Sequence, residues 1–556
     1  MAPLAVTRRG ALLGLAGLGG GLAGGCLGQG RGGRDAENAA RARDLDVDFA
    51  FRSELIGHRL RDAARENARL EPPPDAWRDV GVVIVGAGVA GLSAARALRA
   101  ADFHDFVLLE LEDTAGGTSR GGRTDVSGHP WGAHYTNLPR ASNVDYVEFL
   151  RAHGALDGFD AAGEPIAAEA MICRDPDERG YYAGKWYEGL LPVAVMNSAA
   201  TADLARLEAE VARWAAFRDT RGRAAFALPR ALGSDDSEVT ALDTLSFATW
   251  LQARGLHRGP VRWLADYACR DDFGARPEEV SAWAGLHYFA SRHRSGADNS
   301  APVLTWPEGN ARMVEWLAAD AHAELLTGVA VADVSPVSTG GVEIRAIDVA
   351  TGGARGFRAA QVLLAVPQVF AGRVLRPWRE APPRHLSAFV YGPWLVANLE
   401  LHTRPSARGY PLSWDNVPYG SEALGYICAT HQSGRDWGPT VLTWYEALAD
   451  PDALAARRAL LSWDAATCRD RVLADLRGAH PDLVHRIARM RFVRHGHAMI
   501  RPRPGFVWGA DRVAAAQPHR DVYFAHTDLS GLALFEEAFF HGRRAAAEIL
   551  TARGHG

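Results

Sequence analysis

A glycine-rich turn between a strand and a helix constrains the fold of this chain more than any other feature. Residues 81–85 read GVVIV, a β-branched run that is typical of a buried parallel strand. Residues 86–91 read GAGVAG, and an alanine-rich stretch with helical character follows. In such a turn Gly86 permits the sharp change of direction, Gly88 lets a pyrophosphate approach the backbone, and Gly91 lets helix and strand pack closely. The pattern predicts an α/β domain that binds a dinucleotide.

An acidic residue stands where the ribose of a dinucleotide requires one. The predicted second strand, residues 106–109, ends at Glu110, which is 24 residues after Gly86. A carboxylate near this spacing accepts hydrogen bonds from ribose hydroxyls. Because strand, turn, helix and acid occur together, the motif predicts a ligand-binding turn and not a plain glycine-rich loop.

The composition indicates a globular protein of several domains. The chain has 556 residues, enough for about two to four domains, with 47% hydrophobic and 23% charged residues. These values exclude a wholly disordered chain and a small disulfide-stapled protein. The net charge of −5 argues against a nucleic-acid-binding protein. Lysine occurs once, at Lys185, so a mechanism that needs a lysine would have to use that residue.

The N-terminus is predicted to be an export signal. Arg8 and Arg9 precede a short, apolar, glycine-rich run, which is typical of a twin-arginine signal and too short to span a membrane. Residues 22–26 read LAGGC and resemble a lipoprotein cleavage site, which leaves open whether Cys26 is lipidated. We therefore expect a protein of the periplasm or of the outer face of the cell membrane.

The four remaining cysteines do not form a metal-binding pattern. They lie far apart without a CxxC pair, and the sequence has no HExxH motif. Two disulfides in an oxidising compartment and four buried free thiols are both compatible with this spacing. We expect no metal site. The residues concerned are Cys173, Cys269, Cys428 and Cys468.

Segments beyond the first turn resemble the flavin-containing amine oxidase superfamily. The glycine pair 116–117, followed by arginines, is similar to the second glycine pair of that family, and residues 132–135 (GAHY) are similar to the segment that passes beneath the flavin. Residues 325–331 resemble the strand beside the adenine, and residues 522–546 resemble the closing strand and helix. The resemblance runs from about residue 80 to residue 550 and implies FAD as the cofactor.

The resemblance also assigns cofactor contacts to individual residues. Val331 would lie beside the adenine, Asp528 would contact the pyrophosphate–ribityl region, and the backbone near Phe535 would face the isoalloxazine. Arg120 and Arg123 both qualify for the phosphate contact, and we place Arg123 in the site. The expected cofactor-binding residues are Gly86, Gly88, Ala90, Gly91, Glu110, Gly116, Gly117, Arg123, Val331, Asp528 and Phe535.

The same resemblance implies the architecture. The fold class would be α/β, with a Rossmann-like FAD-binding domain assembled from discontinuous segments and an α+β substrate-binding domain. The expected segments are the signal (1–26), a tether and amphipathic helix (27–78), the FAD-binding domain (79–138, 301–385 and 505–556) and the substrate-binding domain (139–300 and 386–504).

The substrate region departs from the family's pattern. Many amine oxidases of the family hold a lysine near flavin N5, but the matching stretch here contains Trp394. In monoamine oxidases a cysteine tethers FAD and two tyrosines bracket the amine. His497 stands at the position of the cysteine, and Ala498 and Leu534 stand at the positions of the tyrosines. Histidine tethers flavins in other proteins, but we interpret His497 as a plain hydrogen-bonded residue and expect non-covalent FAD. The candidate catalytic, pocket-lining residues are Tyr135, His497 and Trp394.

Acidic and aromatic residues in the middle of the chain suit a cationic substrate. Asp271 and Asp272 are followed by Trp283, Tyr288 and Phe289. A pocket with acids and aromatic walls binds amines well. The alternative is that the acids cap a helix and the aromatic residues pack the core.

Together these patterns favour an exported FAD-dependent oxidoreductase. The expected reaction is oxidation of a C–N bond in an amine or polyamine by hydride transfer to flavin, which needs no dedicated protein base. O₂ or a respiratory acceptor would take the electrons, and a lipid on Cys26 would be the sole membrane contact. Two alternatives stay open: a desaturase or isomerase of an apolar substrate, and a non-enzymatic envelope protein stabilised by FAD.

Overall fold

The computed structural model describes residues 31–51, 54–65, 70–293 and 302–554. The α-helices are α1 (Arg31–Arg43), α2 (Glu54–Arg65), α3 (Val89–Ala100), α4 (Val144–Ala152), α5 (Ser198–Ala216), α6 (Ser237–Ala241), α7 (Phe247–Ala253), α8 (Gly259–Phe273), α9 (Ala282–Ala290), α10 (Ala311–Ala321), α11 (Gln368–Val374), α12 (Arg376–Glu380), α13 (Ala453–Ser462), α14 (Ala465–Leu476), α15 (Ala510–Ala515) and α16 (Phe535–Ala552). The β-strands are β1 (Asp46–Phe49), β2 (Trp77–Val85), β3 (Phe106–Leu109), β4 (Gly121–Arg123), β5 (Gly128–Pro130), β6 (Tyr135–Asn137), β7 (Leu156–Phe159), β8 (Pro165–Ala167), β9 (Glu178–Tyr182), β10 (Lys185–Glu188), β11 (Val303–Thr305), β12 (Glu324–Leu326), β13 (Val329–Pro336), β14 (Val342–Asp348), β15 (Ala354–Leu364), β16 (Tyr391–Leu401), β17 (Asp415–Pro418), β18 (Tyr426–Cys428), β19 (Thr440–Ala447), β20 (Ile487–Ile500) and β21 (Val522–Phe524).

The first sheet is the parallel sheet that the glycine turn predicts. Its order is β12-β3-β2-β15-β14-β13, and β21 pairs with the end of β15. Strands β12, β3, β2, β15 and β21 run parallel, whereas β13 and β14 are antiparallel additions. The sheet joins chain segments 77–109, 324–364 and 522–524. The predicted fold class, a Rossmann-like domain built from discontinuous segments, is therefore confirmed.

Both faces of this sheet are covered, which explains the continuous apolar run in β2. Val82 and Ile84 face a core formed with α3, α4, α10 and α16, and Val83 and Val85 face a second core on the other side. Helix α16 crosses α3 closely: a Cβ on Gly542 would lie 2.2 Å from the carbonyl oxygen of Ala90. This contact fixes the start of α16 next to the glycine turn.

The second sheet has eight strands in the order β1-β20-β16-β19-β18-β17-β9-β10. Its longest members, β16 and β20, pair antiparallel along nearly their whole length. Helices α5, α7, α8 and α9 share an aromatic core with β16 and β19. Trp283 and Phe289 are buried in that core, so the packing interpretation of this aromatic cluster holds for them.

The segment before the first sheet is more structured than the sequence predicts. In place of the predicted tether, residues 31–43 form α1, since Ala, Arg and Glu in this stretch are good helix formers. Strand β1 then pairs in parallel with β20, and α2 lies within the stretch predicted to be an amphipathic helix. The export signal and Cys26 lie outside the described residues.

Other predictions concern single residues. Cys173, Cys269, Cys428 and Cys468 are buried free thiols, so the second of the two alternatives holds. Lys185 begins β10 after the turn of the β9–β10 hairpin, with Nζ 5.0 Å from the ring centre of Tyr187. None of the helices in the described ranges combines the length and the apolar character needed to cross a membrane.

Candidate cofactor cleft and active site

The turn after β2 is shaped for a phosphate group. Gly86 has a φ of +99°, and a Cβ on Gly91 would lie 1.9 Å from the Gly86 carbonyl oxygen, so both positions require glycine. A Cβ on Gly88 would meet nothing closer than 3.9 Å, so space is open in front of the turn. Gly88 is also the N-cap of α3 and offers no side chain to its first amide groups. Uncapped amides at a helix N-terminus bind phosphate.

A cleft of about 1820 Å³, part of it open to solvent, runs from this turn to the start of α16. We call it the dinucleotide cleft. Gly91 lies behind the turn and acts through helix packing. Most of the predicted cofactor-binding residues line the cleft: Gly86, Gly88, Ala90, Glu110, Gly116, Gly117, Val331 and Phe535.

Glu110 directly follows β3 and lines the dinucleotide cleft. Its two oxygens accept the backbone N–H groups of Ala87 (2.8 Å) and Glu112 (3.0 Å). Burial raises the pKa of this carboxyl above its usual range. The two amides hold the carboxylate in one orientation, in which ribose hydroxyls can donate to it.

Of the two arginines considered for the phosphate contact, Arg120 lines the dinucleotide cleft and Arg123 does not, so the position of Arg123 does not support its prediction. Arg120 lines the dinucleotide cleft, with its Nε bonded to the Gly117 carbonyl (3.1 Å) and its guanidinium 4.0 Å from the ring centre of Phe51. Arg123 ends β4, where the chain has left the cleft for the β4–β5 hairpin, and it borders a separate surface pocket with Arg489. The hairpin begins immediately after Arg120, which is why the two arginines separate.

The predicted contact of Asp528 is also displaced by its neighbours. Asp528 is buried behind the cleft wall and accepts hydrogen bonds from the Tyr391 hydroxyl (2.6 Å) and the Gln368 amide (2.9 Å). Its other oxygen lies 2.8 Å from His526 Nδ1. His526 and Thr527, not Asp528, line the dinucleotide cleft.

Helix α2 adds a wall that the sequence analysis missed. Gly57, Leu60 and Arg61 line the dinucleotide cleft. No family segment covers this part of the chain, since the resemblance begins near residue 80. Helix α2 is therefore part of the lining of the dinucleotide cleft.

A second cavity, of about 990 Å³ including space open to solvent, adjoins the far end of the dinucleotide cleft. We call it the acidic cavity. Ala498, Leu534 and Phe535 line both spaces, so a flat ring at this end of the cleft would face the cavity. Charged and aromatic side chains line the acidic cavity as follows: His134, Tyr135, Asp271, Asp272, Arg292, Trp394, Asp415, Tyr445, His495 and Glu536.

Carboxyl groups dominate the charge of the acidic cavity. Arg292 is the one guanidinium on its wall and donates to both carboxylate oxygens of Asp272 (3.0 and 2.8 Å). Glu536 is buried in the first turn of α16, and its Oε1 accepts from the Thr136 hydroxyl (2.8 Å). Burial raises the pKa of Glu536, so this carboxyl holds a proton more readily than an exposed one.

Aromatic rings form the rest of the wall. His134 and Tyr445 stack with ring centres 4.8 Å apart, and Trp394 stands edge-on to Tyr445 at 6.5 Å. Of the three candidate catalytic residues, Tyr135 and Trp394 line the acidic cavity, whereas His497 lines the dinucleotide cleft. The structure therefore brings two of them together in the acidic cavity and places the third in the dinucleotide cleft.

Several site residues escaped sequence reasoning. Tyr445, Arg292 and Glu536 come from distant segments and share no local pattern. His526 could have been found, because it lies within residues 522–546, the segment that resembles the closing strand and helix of the family. Asp271 and Asp272 lie on the cavity wall, in agreement with the interpretation of the acidic pair as part of a pocket. No group of three or more His, Cys, Asp or Glu side chains suited to a metal ion occurs among the described residues.

The model of the family described as flavin containing amine oxidoreductase matches residues 89–550. Among solved structures, a putrescine oxidase variant with redesigned cofactor binding superposes with a TM-score of 0.61, at 16% identity, over 86% of this chain and 100% of the other. The cyclohexylamine oxidase of Brevibacterium oxydans IH-35A superposes with a TM-score of 0.59, at 19% identity, over 86% of this chain and 100% of the other.

The shared fold also occurs with another activity. The fatty acid isomerase of P. acnes that produces CLA superposes with a TM-score of 0.59, at 17% identity, over 84% of this chain and 98% of the other. Identities this low show the fold alone. No curated protein matches the sequence. The uncapped helix start, the buried acid at Glu110 and the space in front of Gly88 fit the FAD that the family binds.

Proposed function

The chain belongs to the family of flavin-containing amine oxidoreductases and is an FAD-dependent oxidoreductase; from this premise we propose that it oxidises a C–N bond of an amine or polyamine. FAD supplies the hydride acceptor when it is bound. The substrate carbon beside nitrogen would lie at the boundary formed by Ala498, Leu534 and Phe535, where the acidic cavity meets the dinucleotide cleft.

The charge of the acidic cavity is the observation that carries this proposal. Four carboxyl groups and one guanidinium line it, and the guanidinium is paired with Asp272. A cleft lined by one sign of charge concentrates ligands of the opposite sign, and the aromatic wall adds cation–π attraction. An apolar substrate would gain nothing from these carboxyl groups, so the amine is favoured over the isomerase or desaturase alternative.

The amine must lose its ammonium proton before a hydride can leave the neighbouring carbon. Glu536 is placed to accept that proton, since it lines the acidic cavity next to Phe535 at its boundary with the cofactor. The Thr136 hydroxyl fixes one oxygen of this carboxyl. The raised pKa makes Glu536 a better proton acceptor than an ordinary carboxylate.

Anaerobic reduction of the flavin tests the proposal. The holoprotein is mixed without oxygen with monoamines, diamines, polyamines, α-amino acids and an unsaturated fatty acid. Bleaching of the visible flavin band by an amine supports the proposal, and the best member of the panel identifies the substrate class. A flavin that no amine bleaches contradicts it, and conversion of the fatty acid would support the isomerase alternative. Readmission of O₂ or of a quinone then identifies the electron acceptor.

We also propose that the protein is exported by the twin-arginine pathway. Arg8, Arg9 and the apolar run after them support this, although they lie outside the described residues. Fractionation of cells that express the full chain should place the flavoprotein outside the cytoplasm, and replacement of both arginines by lysine should retain it inside. Equal export of the two forms would contradict the proposal. Labelling with a radioactive fatty acid, compared with Cys26→Ser, decides between an anchored and a free protein.

A further inference from the structure

A pocket outside the cofactor and substrate regions lies between α1 on one side and α14 with residues 477–484 on the other. Its volume is about 1030 Å³, including space open to solvent. We call it the α1 pocket. Its lining residues belong to neither the dinucleotide cleft nor the acidic cavity, so the proposed amine oxidation does not use it.

The two walls of the α1 pocket are held in fixed positions. Ala42 and Leu45 are buried in the same core as residues of α14, which fixes the end of α1. His485 Nε2 donates to Asn38 Oδ1 (2.8 Å) and ties the middle of α1 to the opposite wall. The strand after α1, β1, pairs with β20. The space between the walls is therefore a feature of the folded domain.

Guanidinium groups dominate the charge of the α1 pocket. Three arginines and one aspartate line it. Arg469 is paired with Asp470, since its Nε and Nη2 both lie 2.8 Å from Asp470 Oδ1. The other two arginines, Arg43 and Arg477, are exposed, and their side chains form no ion pair or hydrogen bond with the residues that the structure describes. Two positive charges are therefore left for a ligand, in a chain whose net charge is −5.

The floor of the α1 pocket is uncharged and largely apolar. Leu483 and Val484 are buried beneath it, and Leu473 is half-buried at its side. His480 completes the floor, with its ring nitrogens bonded to the Ser406 carbonyl (2.9 Å) and the Tyr426 hydroxyl (2.6 Å). Burial lowers the pKa of His480 to about 4, so the ring is neutral at physiological pH.

A cationic rim above an apolar floor suits an amphiphilic anion. A guanidinium binds a phosphate through charge-assisted hydrogen bonds. The apolar floor favours a ligand that also carries methylene groups, which a free phosphate lacks. Basic pockets of this kind bind the head groups of anionic lipids.

The place of α1 in the chain also favours a lipid. Helix α1 begins at Arg31, five residues after Cys26. Five residues span at most about 18 Å, so an anchor at Cys26 would hold the α1 pocket close to a bilayer. The charge and the floor of the pocket do not depend on that anchor.

We propose that the α1 pocket binds an anionic phospholipid. The phosphate accepts hydrogen bonds from Arg43 and Arg477, and the glycerol and the first methylene groups lie against Leu473, Leu483 and Val484. The lipid then holds this end of the second sheet against the membrane surface.

Calorimetric titration of the intact, FAD-loaded protein with a soluble short-chain lipid tests the proposal. The probe is dihexanoyl phosphatidylglycerol below its micelle-forming concentration, so that insertion of an anchor into a bilayer plays no part. We expect saturable binding that weakens as salt is added and that is at least tenfold tighter than the binding of inorganic phosphate or of dihexanoyl phosphatidylcholine. No binding, or equal affinity for either of the other two probes, would overturn the proposal.

Two arginines on α1 provide a matched pair of variants. Arg43→Ala should weaken binding of the lipid by roughly tenfold through the loss of a charge-assisted contact, and Arg477→Ala should act alike. Arg41→Ala removes an exposed arginine of the same helix that does not line the α1 pocket, and it should change nothing. Equal loss in Arg41→Ala and Arg43→Ala would overturn the proposal. The comparison of the three probes on the wild type does not depend on the folding of any variant, and heat of lipid binding is separate from the amine panel, which reads flavin reduction.

Discussion

The dinucleotide cleft and the acidic cavity share a boundary but are built in different ways. The cleft begins with backbone: the glycine turn at 86–91, the uncapped start of α3 and the two amides that hold Glu110. The acidic cavity is built from side chains on separate elements, among them Asp272, Tyr445 and Glu536. A site made from backbone requires specific residues next to one another in the sequence, whereas a site made from distant side chains leaves no local pattern.

The largest effect should come from the backbone of the cleft. Gly91→Ala places a Cβ 1.9 Å from the Gly86 carbonyl oxygen, which forces β2 and α3 apart. We expect the free energy of unfolding to fall by about 3 kcal/mol or more. The protein should also lose its bound flavin. Thermal unfolding and the flavin-to-protein ratio measure both.

Gly88→Ala is the matched control. Its Cβ meets no atom closer than 3.9 Å, so unfolding without FAD should change little, while FAD binding weakens because the pyrophosphate approaches this point. Equal destabilisation by the two alanines would contradict the distinction between packing and phosphate contact.

A substitution in the acidic cavity should not change the binding of FAD. Glu536→Gln keeps an acceptor for the Thr136 hydroxyl but cannot accept a proton, so we expect amine-driven bleaching to slow by roughly 100-fold with normal flavin content. In the wild type the bleaching rate should rise as the pH rises through the raised pKa of Glu536, because the ionised form is the acceptor. Stopped-flow bleaching across pH should show this rise and its absence in the variant. An unchanged profile in Glu536→Gln would exclude this role.

The two arginines after the second glycine pair allow a sharper comparison. Arg120→Ala should weaken FAD binding by roughly tenfold or more through the loss of a charge-assisted contact, and Arg123→Ala should have no effect. Titration of the apoprotein of each variant with FAD gives the affinities. The reverse ranking would restore the sequence-based choice of Arg123.

The smallest effect should come from α2. Leu60→Ala removes part of the apolar cover over the dinucleotide cleft, and we expect FAD dissociation to accelerate by about five-fold, equivalent to roughly 1 kcal/mol. Flavin fluorescence after dilution of the FAD-bound protein measures this rate. Arg59→Ala, on an exposed position of the same helix, is the control and should not change it.

The sequence could predict the sheet and one end of the cofactor site because both rest on local rules. The apolar run in β2, the glycine spacing and Glu110 each follow from backbone geometry or burial within a few residues. Local rules did not predict the positions of Arg123 and Asp528, or the helix at residues 31–43, where a tether was expected. Arg120 and Arg123 fit the glycine-pair motif equally well. Their positions differ because the β4–β5 hairpin begins after Arg120 and leads the chain away from the dinucleotide cleft. Asp528 lies behind the cleft wall, where its carboxylate accepts hydrogen bonds from Tyr391 and Gln368. Asp272, near the end of α8, and Arg292, just after α9, pair on the cavity wall although they are 20 residues apart, and no sequence pattern records this contact.

The most direct test of the account is single-turnover bleaching of the flavin by the best amine and by the same amine deuterated at the carbon beside nitrogen. If the acidic cavity holds that carbon against the flavin, both compounds should bleach the visible band without oxygen, and the deuterated one should do so severalfold more slowly. A flavin that neither compound bleaches, or that both bleach at the same rate when the chemical step is observed, would contradict hydride transfer from an amine.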